Sequence, residues 1–488
     1  MNDTGPTDAD EREGDAREAP TREADGADAG APDTGTSDAG SPDAGASDTG
    51  SPDAGSPDAT GGGERGISRR DFAKAAVAIG GASALSACLS RGDDLDVATG
   101  PDDLSTLPAR QHAWDGFLAR DDHGNVKAPR HRVLLLLNYA GEGAPSDADR
   151  RTAESAFRSL ERAYERGGKG LLFTVGYSPS YFDRFDADLP DSVDLQEPKA
   201  LASFEDPKLD RQDAVVHLAS DHAEVVLAAE EALLGNSDKA NGVEMEADLS
   251  GVFQKADRRT GFIGEGLPAD HQDVDGIPDS EPVDEESPLY MGFKSGFQKN
   301  QASEDRVTIR EGPFSGGTTS QVSKIRLNLD QWYGQDSRYQ RVGKMFCPVH
   351  AEEGLVEGAG DNLGDSSKME ATGCPAHAED HARTKGMVGH SQKTARARDD
   401  DDSPLMIRRD FDSTDDGKAG LHFVSLQRTI SDFVDTRDAM NGEDLAERSA
   451  VGQMNNNGIL QYMDVVRRGN FLLPPRAKRA LPTPNPEN

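Results

Sequence analysis

The chain has 488 residues, enough for two or three domains of ordinary size, and a formal net charge of −36. A chain this acidic repels phosphate backbones, which argues against nucleic acid and anionic membrane surfaces as charge-driven partners. Three cysteines are too few for a disulfide-rich scaffold.

The acidic residues are spread over the whole chain. Residues 1–60 hold 16 acidic and 3 basic residues, so this tail accounts for −13 and the remainder for −23 of the net charge. A carboxylate-rich surface on a folded body is typical of proteins from extremely salty environments, where brine screens the repulsion. The composition therefore predicts a halophilic protein.

The N-terminal segment 1–60 has almost no large apolar side chains. Residues 28–60 form a degenerate five-residue repeat of Ser, Pro, Asp, Ala and Gly. Such a sequence buries too little apolar surface to offset the entropy lost on ordering, so we expect it to be disordered. Two interpretations are open, a solvating spacer or an extended start of translation.

A targeting segment is predicted over residues 61–88. Residues 68–74 read SRRDFAK and resemble the twin-arginine export motif at each of its defined positions. The small and apolar residues 75–87 are too few for a stable membrane span, and they end in LSAC, which resembles a lipobox. We therefore expect export by the twin-arginine translocase and a lipid anchor at Cys88, on the outer face of the cell membrane.

The segment from 89 to 128 reads as a polar tether, and a strand–helix pattern follows it. An apolar run predicts a buried strand over 131–139, and residues 146–166 have helical spacing behind a Ser/Asp cap. Strands over 170–176 and 213–219 and a helix over 223–234 complete this part. The order strand–helix–strand–strand–helix is that of a ferredoxin-like half.

The second part repeats the theme with strands over 321–329 and 420–427 and a helix over 429–441. Two long stretches, 236–290 and 350–405, carry little periodicity and read as acidic insertions. Lone histidines on predicted strands, His217 and His422, are expected in the core. The overall prediction is an α+β fold.

Several segments, in this order, resemble the dye-decolorizing (DyP-type) haem peroxidases. Residues 176–182 (GYSPSYF) resemble the family's G-[FY]-G/S-P-S-x-F segment, and residues 292–296 (GFKSG) resemble its G-F-x-D-G motif. Further matches are residues 314–318 (FSGGT), 389–390 (GH), 407–411 (IRRDF), 420–427 (GLHFVSLQ) and 469–475 (GNFLLPP).

The resemblance covers roughly 130–476 and implies two ferredoxin-like halves, 129–290 and 291–480, of the dimeric α+β barrel type. It also implies haem b as cofactor and the reduction of hydrogen peroxide with electrons from an unknown donor. The chain would be a divergent, haloarchaeal-like member.

The resemblance assigns roles to individual residues. His390 matches the axial haem ligand, and Arg408 matches the distal arginine that stabilises anionic peroxide, with Arg409 as its neighbouring candidate. Ser295 stands where the family has an aspartate, and a hydroxyl is a poor base for peroxide. Glu265 is a substitute acid under another alignment. The alternative function is therefore a non-catalytic haem- or metal-binding surface lipoprotein.

A second group of candidate metal ligands is independent of the family resemblance. Two C-x-x-H pairs are present, Cys347 with His350 and Cys374 with His377. Two thiolates and two imidazoles suit tetrahedral Zn²⁺, or iron if the site is open, and His381 and His390 follow as alternative ligands. Because an exported protein meets oxidising conditions, a disulfide or a pair of free thiols is the other interpretation.

Overall fold

A computed structural model of the protein describes residues 95–447 and 449–486. The acidic repeat, the twin-arginine motif and Cys88 lie outside these residues. Within the described ranges, no helix has the length and apolar character needed to cross a lipid bilayer.

The described residues form both β-strands and α-helices, and each kind includes short and long elements. The strands are β1 (His131–Tyr139), β2 (Leu172–Tyr177), β3 (Lys208–Leu209), β4 (Ala214–Ser220), β5 (Lys239–Ala240), β6 (Val243–Glu244), β7 (Phe253–Phe262), β8 (Thr318–Leu327), β9 (Met406–Arg408), β10 (Phe411–Ser413), β11 (Gly420–Gln427) and β12 (Met463–Leu473). The α-helices are α1 (Asp147–Ala163), α2 (Pro179–Phe182), α3 (Ala223–Leu233), α4 (Leu267–Asp270), α5 (Glu304–Val307), α6 (Leu329–Gly334), α7 (Arg338–Met345), α8 (Pro348–Glu352), α9 (Met369–Thr372), α10 (Ala378–Lys385), α11 (His390–Thr394), α12 (Ile430–Asn441) and α13 (Glu443–Ala446).

Eight strands close into an antiparallel barrel in the order β7-β1-β4-β2-β12-β8-β11-β10, with β10 pairing back to β7. The ring consists of two sets of four neighbouring strands, β7-β1-β4-β2 and β12-β8-β11-β10. In each set the spatial order is the fourth, first, third and second strand along the chain. Two short strands attach outside the ring, β3 parallel to β12 and β9 antiparallel to β11. Closure leaves the eight strands without long unpaired edges.

Both faces of β1 are buried, which explains its continuous apolar sequence. Leu134 and Leu136 contact residues of the other strands in the barrel interior. Val133 and Leu135 belong instead to the core that α1 and α3 form outside the barrel. A strand covered on both faces needs apolar residues at every position, and the observed bounds are those predicted.

Helix α1 follows from its local sequence. Ser146 accepts a hydrogen bond from the Asp149 backbone, and the Asp149 side chain accepts one from the Ser146 backbone, forming a capping box. The buried stripe includes Ala153, Phe157 and Leu160, which face the core outside β1.

Strand β7 lies in a stretch for which the sequence predicted no strand. Its charged residues are ion-paired on both faces: Arg259 Nη2 lies 2.7 Å from Asp210 Oδ2, and Arg258 Nε lies 2.8 Å from Glu230 Oε1 on α3. Asp210 also accepts from Arg467 Nε on β12 at 2.8 Å. Charge pairing therefore allows a polar sequence to occupy a barrel strand.

The predicted tether is wrong for its described part, because residues 95–128 pack against the barrel. Trp114 is buried, and its indole Nε1 donates to the carbonyl of Gln111. The Gln111 amide donates to the carbonyl oxygens of Val175 and Pro474 at 3.0 and 2.8 Å. This segment therefore belongs to the folded body.

The predicted four-ligand metal set is not formed, because a disulfide joins Cys347 to Cys374 with a Cα–Cα distance of 6.6 Å. Neither sulfur is then a free thiolate. His350 lies beside the bond, with Nδ1 3.1 Å from Cys347 Sγ, whereas His377 is exposed and outside this group. His390 is also outside it, so it is not shared between two sites.

The first prediction concerns this disulfide. The bond spans 27 residues, and a loop of that size stabilises the folded state by about 3.5 kcal/mol in the chain-entropy description. The double variant Cys347→Ala/Cys374→Ala should therefore unfold at clearly lower urea concentration than a Cys88→Ala control. Unreduced native protein with two free thiols here, or with stoichiometric zinc, would contradict the prediction.

The second prediction concerns His112, which is fully buried, with Nε2 2.8 Å from Thr308 Oγ1. Burial, aided by nearby Arg409, lowers its pKa to about 3. Between that value and the ordinary pKa of about 6.5, only the unfolded state binds the proton, so stability falls as the pH falls.

The expected slope from this histidine is about 1.4 kcal/mol per pH unit. Urea unfolding of wild type and His112→Asn between pH 6 and 4.5 measures it, and the variant should show the shallower pH dependence. The exposed His123 provides the control variant His123→Asn, which should behave as wild type. Equal slopes for wild type and His112→Asn would refute the prediction.

Candidate active site

A large cavity lies on the outer face of strands β8, β11 and β12, beside α11 and α12. Its volume, measured as the space open to the centre of a water-sized sphere, is about 220 Å³. Alternate residues of β8, Ser323 and Ile325, line it, whereas Val322 between them belongs to the barrel interior. The lining is mainly apolar and includes Met291, Phe293, Leu421, Phe423, Met440 and Ile459.

Three residues predicted from the sequence line this one cavity. Ser295 comes from the loop before α5, His390 is the first residue of α11, and Arg408 is the last residue of β9. The fold thus brings Ser295 together with two side chains that follow it by 95 and 113 positions in the chain. Their convergence is a property of the fold and not of their local sequence.

His390 is held by a close backbone approach. A Cβ atom on Gly389 would lie 1.8 Å from the carbonyl oxygen of Phe346, so only glycine fits before the histidine. The Nδ1 atom of His390 is buried without a hydrogen-bond partner among the described residues. Burial, with Arg408 and Lys393 nearby, lowers the pKa of the imidazole to about 3. The ring is therefore neutral at neutral pH, and its lone pair is available to a metal.

Arg408 carries an unpaired charge. Its backbone is fixed from both sides by the Gln301 side chain, which accepts from Arg408 N at 2.9 Å and donates to Arg408 O at 3.3 Å. Its guanidinium forms no hydrogen bond or ion pair with any residue in the described ranges, although the chain contains 89 acidic residues. An arginine left free at an apolar cavity is suited to an anionic ligand.

Arg409, the neighbouring candidate, points away from the cavity. Its Nη2 donates to the carbonyl of His112 at 2.7 Å, and its guanidinium lies 4.0 Å from the centre of the Trp114 ring. Glu265, the substitute acid of the other alignment, is exposed and does not line the cavity. Neither residue is therefore part of the site.

Sequence reasoning missed two carboxylates at the cavity, Asp410 and Asp412. They alternate with Arg408 along the extended segment 408–412, and that period of two was the available signal. Asp412 is buried and accepts a hydrogen bond from the Tyr290 backbone at 2.5 Å. Burial, with the nearby charge of Asp410, raises the pKa of Asp412 well above its usual range.

A basic pair lies in the cavity wall beside α12. Arg437 and Arg468 share one buried carboxylate, with Arg437 Nη2 2.6 Å from Glu205 Oε1 and Arg468 Nη1 2.8 Å from Glu205 Oε2. Arg437 Nη1 and Arg468 Nε are buried without partners among the described residues. The wall therefore has one positive charge in excess and spare donors. No sequence spacing links these residues.

The structure is similar to several solved DyP-type peroxidases at low sequence identity. For the encapsulated enzyme from Mycobacterium smegmatis the TM-score is 0.49 and the identity 14%, covering 76% of this chain and 100% of that chain. For the dye-decolorizing protein from V. cholerae the values are 0.48 and 12%, covering 75% and 99%.

A third similar structure is the dye-decolorizing peroxidase from Bacteroides thetaiotaomicron, with a TM-score of 0.46, 15% identity and coverage of 75% and 99%. No curated protein matches the sequence. Residues 129–475, most of the chain, match a family described only as being of unknown function. The chain therefore belongs to the family of unknown function DUF7405.

Proposed function

We propose that this protein is an exported, haem-dependent, peroxidase-like oxidoreductase that reduces hydrogen peroxide with electrons from an unknown donor. One observation carries the proposal: a single apolar cavity holds a neutral imidazole, His390, and an unpaired guanidinium, Arg408. A haem peroxidase needs these two groups, an axial ligand for iron and a fixed positive charge for anionic peroxide. The resemblance of the sequence to DyP-type peroxidases points to the same residues.

The cavity residues fit haem b, an apolar ring with two carboxylates. The imidazole of His390 would bind the iron, and the apolar walls would cover the ring and exclude water. Arg437 and Arg468 would hold the carboxylates, because their unpartnered donors are buried in the same wall. Haem, when bound, would supply the redox-active iron, and the electrons for peroxide reduction would come from the donor.

Side chains of the protein would bind and orient the peroxide. Arg408 would orient the peroxide and stabilise its negative charge through charge-assisted hydrogen bonds. Ser295 would hold a water or the peroxide by hydrogen bonding, but its hydroxyl is too weakly basic to accept a proton. We interpret the strand order of the barrel as two ferredoxin-like halves, with this site on the second.

A second candidate function keeps haem or metal binding without catalysis, and the serine at position 295 favours it. Under reducing conditions Cys347 and Cys374 would become thiolates beside His350, all within 4.8 Å of one another, and could bind zinc or iron. Slow reaction of the haem-loaded protein with peroxide would support this alternative.

The third prediction tests the cavity assignments. His390→Ala should abolish the Soret band of protein loaded with haem, because the iron loses its axial ligand. Arg408→Ala should retain haem but react with peroxide at least tenfold more slowly, since the anion loses its charged partner. Absorption spectra and stopped-flow mixing with peroxide measure both effects.

The matched control is His377→Ala, which removes an exposed histidine outside the cavity and should leave both measurements unchanged. A full Soret band in His390→Ala would rule out His390 as the ligand.

The fourth prediction tests export and anchoring, which rest on the sequence motifs alone. Arg69→Lys with Arg70→Lys should block export, because the arginine pair is the part of the motif that the translocase reads. Cys88→Ser should release the protein into the medium, since one lipid is its only predicted membrane attachment. Immunoblots of cell, membrane and medium fractions report the outcome. The nearby Arg65→Lys is the control, and normal export of the double variant would exclude the twin-arginine route.

A further inference from the structure

Arg408, Asp410 and Asp412 line the cavity at alternate positions, whereas Arg409 and Phe411 contact other side chains: Arg409 stacks on Trp114, and Phe411 lies in the barrel interior. This alternation is the ordinary side-chain period of extended backbone. A single segment therefore supplies both the unpaired positive charge and two carboxylates to the site. Ser295, which occupies the position of the expected acid, lines the same cavity.

We infer that Asp410 is the proton acceptor of this site and takes over the role that Ser295 cannot perform. The inference rests on the proposed haem function. It concerns the step in which hydrogen peroxide loses one proton as it binds: the O–H bond breaks, the proton moves to the Asp410 carboxylate, and the hydroperoxide anion remains beside Arg408. No electrons are transferred in this step.

The surroundings of Asp410 suit this role better than those of the other candidates. Its side chain is only partly buried and forms no hydrogen bond or ion pair with another residue in the described part of the chain. Asp412 is buried, and its carboxyl group already accepts a hydrogen bond from the Tyr290 backbone, so it is less accessible from the cavity than that of Asp410. A guanidinium such as that of Arg408 cannot act as a base at all.

Asp410 and Asp412 have different roles in the proposed site. Burial raises the pKa of Asp412, and the nearby charge of Asp410 adds to the effect, so the two carboxyl groups lie in different surroundings. Asp410 lines the cavity, whereas Asp412 accepts a hydrogen bond from the Tyr290 backbone and so anchors the segment to the loop before Phe293. We assign the first to proton transfer and the second to positioning.

The experiment measures ligand binding and not turnover. Hydrogen cyanide also loses a proton when it binds to ferric haem, so its binding rate reports on the proton acceptor. Carbon monoxide binds to ferrous haem without losing a proton and serves as the reference ligand. Asp410→Asn should bind cyanide at least tenfold more slowly than wild type, and carbon monoxide at a rate within twofold of wild type.

Two further variants complete the set. Asp400→Asn changes an exposed aspartate outside the cavity lining and should match wild type. Ser295→Asp in the Asp410→Asn background should restore at least part of the cyanide rate, because it returns a carboxylate to the same cavity. Circular dichroism and the Soret band establish that each variant is folded and loaded, and Asp410→Ser replaces Asp410→Asn if the latter does not fold.

The possible outcomes distinguish a failure of the role of Asp410 from a failure of the proposed haem function. A Soret band with a wild-type cyanide rate in Asp410→Asn would overturn the role of Asp410 and leave the proposed function standing. Equal slowing of cyanide and carbon monoxide would also overturn it, because the variant would then act by distorting the cavity. Absence of any Soret band in wild-type protein supplied with haem would overturn the proposed function and this inference with it.

Discussion

The architecture depends on buried ion pairs between arginines and carboxylates. Glu205 joins a long loop to helix α12 through Arg437 and to strand β12 through Arg468. Asp210 joins Arg259 of β7 to Arg467 of β12 across the barrel. Removing one partner of such a pair leaves an uncompensated buried charge, which typically costs about 3–5 kcal/mol.

These pairs also explain how a chain with so many acidic residues can build a cavity with positive character. Most of the large buried basic side chains are matched to carboxylates, as Arg479 is to Glu161. At the cavity the matching is incomplete: two arginines share Glu205, and Arg408 has no partner among the described residues. Positive charge is therefore concentrated where an anionic ligand can reach it, and the acidic surface remains elsewhere.

Most of the barrel could be predicted from the sequence, because the regular elements obey simple periods. Strands β1 and β11 have the bounds that their apolar patterns predict. Strand β7 was missed because its charged residues pair with partners distant in sequence, which hydropathy does not register. The stretch 350–405, which reads as an acidic insertion with little periodicity, folds into short helices that a disulfide joins to Cys347.

The site was predictable only in part, for a related reason. Motif resemblance located Ser295, His390 and Arg408, and all three line one cavity. The tertiary fold adds Asp410, Arg437 and Arg468 to the same cavity. The spacing of these residues along the sequence does not predict this. The two C-x-x-H pairs show the converse limit, since the same spacing is compatible with a metal and with a disulfide, and only three-dimensional proximity of the sulfurs distinguishes them.

The glycine before His390 gives a criterion for sorting related sequences. A Cβ atom at position 389 would lie 1.8 Å from the Phe346 carbonyl oxygen. Any residue larger than glycine would therefore displace the start of α11. A relative that retained the barrel but no longer needed the imidazole would be under no such restriction. We therefore expect Gly389 and His390 to be retained or lost together, so that their joint presence in other chains would separate ligand-binding lineages from those that kept only the scaffold.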